Sequence, residues 1–157
     1  MPPSSTLPKT IGIVLIVDAI ALMALPVSAS ESDEKQHCKI FDRFSSTSPN
    51  VGSFTTLVNV NDTLIWNVEV DVDSAKEGYS AYLFKVYTQN KKLTTKQDYR
   101  RSNGIVKGVI KSDFTNLDET TYRMHFKLRL NNRNARTFII DPKLKGTKTT
   151  AIINTGG

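Results

Sequence analysis

The sequence predicts an all-β chain, in its most economical form a small antiparallel β-sandwich, with a small closed β-barrel as the second arrangement. Two observations carry this expectation. Apolar and polar residues alternate in several stretches, above all YRMHFKLRLNN at 122–132 and LIWNVEVDV at 64–72, the pattern of strands wetted on one face. No stretch shows a convincing amphipathic-helix period, and single-faced strands bury themselves by pairing two sheets face to face.

The chain has 157 residues, a net charge of +6, 39% hydrophobic and 23% charged residues, values of a folded rather than a disordered protein. Its opening reads as a leader outside the fold. Lys9 precedes the apolar run IGIVLIVDAIALMALPV, which ends in the small residues SAS before ESDEK. That order is the one found in secretory signal peptides, with cleavage expected after Ala29 or Ser30. Asp18 interrupts the run, and a charge at mid-bilayer depth costs about 2.5–3.5 kcal/mol, which argues against a permanent span. An uncleaved membrane anchor or a pilin-like leader is the alternative. Residues 31–50, ending in a Ser/Thr/Pro/Asn cluster, read as a flexible segment tacked down by Ile40 and Phe44, and 51–157 as a single domain.

Within that domain SFTTLVNV is strand-like and NDT a turn. LIWNVEVDV then sends Leu64, Trp66, Val68, Val70 and Val72 inward and Asn67, Glu69 and Asp71 outward. DSAKEG is a turn or one helical turn. YSAYLFKVYT is apolar on both faces, as in a central or covered strand. The polar QNKKLTTKQDYRRSNG reads as a loop or edge hairpin, with Asn103-Gly104 a strong turn signal. GIVKGVIK is a strand in which Gly108 marks a bulge. The 122–132 strand follows, with Tyr122, Met124, Phe126, Leu128 and Leu130 inward. RTFII before Pro142 and TKTTAII complete seven strand-like stretches.

DETTY places Asp118 four residues before Tyr122, at the head of a strong strand, while Trp66 lies inward on an early one. This resembles the tyrosine corner of immunoglobulin-type sandwiches, and implies an immunoglobulin-like version of the fold. The cysteine pair of true immunoglobulin domains is absent, with Met124 at the corresponding place.

Enzyme chemistry finds little to work with. The two histidines are His37, in the leader segment, and His125, on an outward face between Arg123 and Lys127. Positive neighbours disfavour a charged imidazole and do not make a better base. Cys38 is the single cysteine, a candidate intermolecular thiol since no disulfide can close within the chain. Too few His and Cys are present for a structural zinc. DVDSAKE offers Asp71, Asp73 and Glu77 but lacks the glycine and closing glutamate of a calcium loop. The chain is therefore read as non-enzymatic, with no metal or cofactor. Asn61 heads an NDT sequon on a turn and is the candidate N-glycosylation site.

Charge carries more information. Arg123, Lys127 and Arg129 line one strand, and Lys91, Lys92, Lys96, Arg100 and Arg101 crowd the long polar loop. Together they form a candidate surface for an anionic polysaccharide or a protein partner at the cell surface. If the 64–72 and 122–130 strands are neighbours, their acidic and basic rows neutralise each other across the ladder. If not, the molecule carries oppositely charged faces that favour contact between subunits. Export would remove the chain from nucleic acid, and the membrane is a partner only if the N-terminal segment stays. The leading expectation is a secreted or cell-surface binding module or effector acting through its surface. The alternatives are a structural subunit of a surface filament or coat, assembled by β-strand addition, and a protease inhibitor.

Overall fold

The alternating stretches become strands in the computed structural model, which describes residues 7–42 and 54–148. From the N-terminus come β1 (Thr10–Val17), the short helices α1 (Ala19–Ala24) and α2 (Glu31–Lys35), β2 (Cys38–Asp42) and β3 (Thr55–Val58). Then follow β4 (Thr63–Val70), the one-turn α3 (Val72–Lys76) and β5 (Tyr79–Thr88). The chain continues through β6 (Asp98–Arg100), β7 (Val106–Val109), β8 (Glu119–Leu130), β9 (Arg133–Ile140) and β10 (Lys143–Gly146).

These strands form two sheets, one in the order β2-β1-β4-β7 and one in the order β3-β10-β8-β5-β6, with β9 also pairing β8. The expected antiparallel arrangement gives way to two mixed sheets, because β1 runs parallel to β4 and β10 parallel to β3. The β8–β9 register (Met124↔Ile140) carries on unbroken into β8–β10 (Thr121↔Lys143). Asp141 and Pro142 lie in the gap, where the Tyr122 amide donates to the Pro142 carbonyl. Proline, lacking an N–H, can accept there but not donate. The TKTTAII stretch contributes Thr147 and Lys148 to the described residues; the remainder of it lies outside them.

The N-terminal run is the largest departure from expectation. It was read as lying outside the fold, yet Ile11, Ile13, Leu15 and Val17 are fully buried in an interior strand of the first sheet. Every residue of β1 has a partner on β4, from Thr10↔Thr63 to Val17↔Val70. The residues that spoke for a leader hold structural posts. Lys9 donates its backbone N–H to buried Asp62 at 3.0 Å and lies 3.6 Å from it through the ammonium. Asp18 is the N-cap of α1, accepting from the Ala21 amide at 3.0 Å, as short polar side chains do at helix starts. Buried Ser74 of α3 accepts from the amides of Ala19 and Ile20 at 2.9 and 3.2 Å. At the other end of α1, Arg136 of β9 donates to the carbonyl of Leu25 at 2.7 Å. The free N–H and C=O groups of a helix end need such partners.

The segment 31–50 also differs from its reading as a flexible tether, as far as it is described. α2 carries a capping box of Ser30 and Asp33. β2 pairs antiparallel with β1, with Ile40 fully buried; Phe44 lies outside the described residues. Buried Asp42 accepts from the Thr56 hydroxyl at 2.7 Å, tying β2 of one sheet to β3 of the other.

The two sheets meet around Trp66 of β4, whose ring lies 5.8 Å from Tyr99 of β6 and 5.6 Å from Tyr122 of β8. Gly108 does not mark a bulge. It makes room for this cluster, since a Cβ there would stand 2.7 Å from the Trp66 ring. The bulges fall instead between Leu83 and Lys85 and between Leu128 and Arg129. Nothing supports an immunoglobulin-type sandwich or a closed barrel in particular. An immunoglobulin sheet is antiparallel throughout, and among the described residues the buried Tyr122 hydroxyl bonds to no backbone acceptor of the tyrosine-corner kind. The expected inward row on β4 holds for Leu64, Trp66 and Val68 but fails at Val72, which is 70% exposed. Asp71 ends the strand by accepting from the Ser74 amide and starting α3. On β8 the inward row runs from Tyr122 to Leu128, and Leu130 at the hairpin end is exposed.

Candidate functional site

β4 and β8 lie in different sheets, so the acidic and basic rows do not neutralise each other across a ladder. The basic row instead borders β5, with Arg123 opposite Tyr87, His125 opposite Lys85, Lys127 opposite Tyr82 and Arg129 opposite Ser80. The β5 bulge turns both Phe84 and Lys85 outward between inward Leu83 and Val86, adding an aromatic and a cation to one face. The guanidinium groups of Arg101 and Arg129 stand 4.3 and 4.2 Å from the Tyr82 ring centre. The ammonium groups of Lys127 and Lys85 lie 5.2 and 5.3 Å from Phe84 and Tyr87. Each such contact contributes about 0.5–1 kcal/mol at an exposed site, enough to orient the cations without removing them from solvent.

Arg101 is further fixed by donating to the Leu83 carbonyl at 3.1 Å. Arg100 is engaged by Asp98, at 3.0 and 3.2 Å. Half-buried His125 titrates below its ordinary value, because of burial first and then Lys85 and Arg123. The positive neighbours act in the expected direction, with burial the larger cause.

The long loop therefore divides. Its Arg100 and Arg101 join the β8 row. Its first part is pinned by buried Leu93 and Thr94, and Lys91 there accepts through its carbonyl from Lys111. Lys91, Lys92 and Lys96 are exposed, with the Lys96 amide donating to the Tyr99 hydroxyl at 2.9 Å. Asn103 and Gly104 make the expected turn, both at positive φ. Tyr82, Phe84, Lys85 and Tyr87 of the face were not singled out in the sequence.

A second charged region gathers at one end of the molecule. Parallel pairing brings the ends of β1 and β4 together, Val17 against Val70, and each strand runs into an aspartate helix cap, Asp18 and Asp71. Exposed Glu69 lies on β4 before the Asp71 cap, and on or beside α3 exposed Asp73 and Glu77 flank the exposed cation Lys76. Among them stand Val72, 70% exposed, and Ile20, 42% exposed, whose amide is bonded to Ser74. This end is acidic with apolar tips.

Cys38 is buried, with its thiol 3.5 Å from the Glu34 carbonyl. Burial, aided by Glu34 and Asp18, pushes its pKa up to about 12, so the nucleophilic thiolate is suppressed. A link to another chain would require β2 to leave its place. Asn61 is exposed at positive φ in the β3–β4 turn, beside fully buried Asp62. Asp71 caps α3 and Asp73 lies in its first turn, and no group of three or more His, Cys, Asp or Glu gathers to hold a metal among the described residues. No helix among them is long and apolar enough to cross a membrane.

No protein-family model and no curated protein matches the chain. Among solved structures it is similar to an inclusion body protein, PixA, from Burkholderia cenocepacia, with a TM-score of 0.65 at 14% identity. That likeness covers 90% of this chain and 98% of the other. A laccase from Botrytis aclada (TM-score 0.38, 13% identity, 95% of this chain and 31% of that one) is too distant to carry an argument. So is a cysteine protease inhibitor from Entamoeba histolytica, with a TM-score of 0.28, 10% identity and coverage of 61% of this chain and 87% of that one. The chain thus shares an overall fold with the inclusion body protein.

Proposed function

We propose that this chain is a non-catalytic structural protein that assembles with copies of itself, the reading held as the alternative at the level of sequence. The observation that carries it is the division of the surface into a basic aromatic sheet face and an acidic, apolar-tipped end. Charges so separated favour contacts between molecules over contacts within one. The fold likeness to a protein described as an inclusion body protein supports the same reading. Residues 10–24 belong to the working protein in this proposal, because they supply β1 and α1.

The test is light scattering coupled to size exclusion, on the full chain across a concentration series at low and high salt. Growth of the particle mass with concentration, reversed by salt, is the expected result; a single monomeric mass throughout refutes it. A second reading keeps the basic face for an anionic polysaccharide or protein partner. The exposed Arg123 and half-buried Lys127 favour it, and retention on a polyanion column by an unassociated monomer would be its sign.

A further inference from the structure

We propose that the outer face of the β6-β5-β8 sheet receives the acidic end of a second copy, in a head-to-side contact. This rests on the assembling reading above and names the surfaces that would carry it. The face is a sheet surface bearing half-exposed aromatics, Tyr82, Phe84 and Tyr87, between cations. The opposing end offers Val72 and Ile20 as exposed apolar tips, with Asp73 and Glu77 outnumbering Lys76 on or beside α3 and Glu69 on the adjoining β4. Apolar tips against aromatic rings with charges of opposite sign at the rim is the usual anatomy of a specific interface.

The occupant is a second copy because the complement in charge and in apolar groups is present on the same chain. Val72 is the decisive residue. A valine 70% exposed among carboxylates has no packing role in its own molecule. The contact joins two different surfaces, so it does not close on itself as a two-fold dimer does. Each bound copy presents a free end and a free face, so the contact propagates into a ring or an open filament.

The test is a charge swap. One variant carries Asp73→Lys and Glu77→Lys; the other carries Arg123→Glu and Lys127→Glu. Asp73, Glu77 and Arg123 are exposed and Lys127 is half-buried, and circular dichroism and thermal melting establish that each variant folds. Each variant alone should associate at least roughly tenfold more weakly than the wild type, since like charges now meet. An equimolar mixture should assemble again, as the reversed end of one fits the reversed face of the other. Val72→Ser should also weaken wild-type assembly. A wild type that assembles but ignores these changes, or variants that mixing does not restore, overturns the assignment of faces and leaves self-assembly standing. A wild type that never assembles overturns both. Loss of polyanion retention in the Arg123→Glu, Lys127→Glu variant with assembly intact assigns the face to an anionic polymer and overturns this proposal.

Discussion

Ser74→Ala probes how firmly the N-terminal segment is built into the domain. The Ser74 hydroxyl is fully buried and accepts two amides, Ala19 at 2.9 Å and Ile20 at 3.2 Å. Removing it strands one buried donor and one partly buried donor, at about 1–3 kcal/mol for the first and the low end of that range for the second. Alanine's better helix propensity returns about 0.5 kcal/mol. The net loss is about 2 kcal/mol, a sizeable share of the roughly 5–15 kcal/mol that holds a domain together. Urea denaturation should show a lower midpoint with an unchanged slope, and the melting temperature should fall by about 6 °C. Ser74 also holds the Ile20 amide and sits on α3 between Asp73 and Glu77, so the stability measurement is made on its own and not read from assembly. A change below about 0.5 kcal/mol, the level of an indifferent surface substitution, would mean that α1 is not docked on α3 and would refute this account of the segment.

Three further outcomes follow from the same geometry. Gly108→Ala should cost about 1–3 kcal/mol by overpacking against Trp66, and the single tryptophan should report it as a shift in fluorescence as well as in stability. Cys38 should resist Ellman's reagent in the folded protein at pH 8 and react once the chain is unfolded. Because its folded pKa of about 12 lies above its ordinary value of 9.0, stability should be lost as pH rises through that interval. His125 behaves in the opposite sense. Its folded pKa lies below the ordinary 6.5, so the unfolded chain takes up the proton first and stability falls as pH drops below about 6.5. His125→Gln should flatten that slope in acid denaturation curves.

Much of the fold was legible where one face of a strand is wet. The alternation from Tyr122 to Leu128 and from Leu64 to Val68 reports burial directly, and Asn103-Gly104 announces its turn. β1 was not legible in the same way. Its odd residues are buried and Gly12, Val14 and Ile16 are half-buried, so no alternation survives, and a short apolar run is ambiguous between strand, buried helix and leader. Two signals were present nonetheless. Asp18 divides the run into a piece rich in β-branched residues and a piece, AIALMA, that it can cap as a helix.

Parallel pairings such as β1 with β4 leave no local mark, since the partners lie far apart in sequence. The basic row of β8 was readable by counting in twos. The β5 side chains that complete the face were not, because the bulge between Leu83 and Lys85 shifts the count by one. Val72 was misplaced for a related reason: alternation continues through Asp71, while the aspartate side chain has already begun a helix.

The most direct test of this structure is native-state hydrogen exchange on the full chain, followed by mass spectrometry over the peptide containing Ile11–Val17. An interior strand paired on both sides by β2 and β4 exchanges only when the domain opens globally. The amides of β1 should therefore be as slow as those of β8, and slower than those around the Asn103-Gly104 turn. Exchange across Ile11–Val17 at the rate of an unfolded peptide, while β8 stays protected, would contradict it.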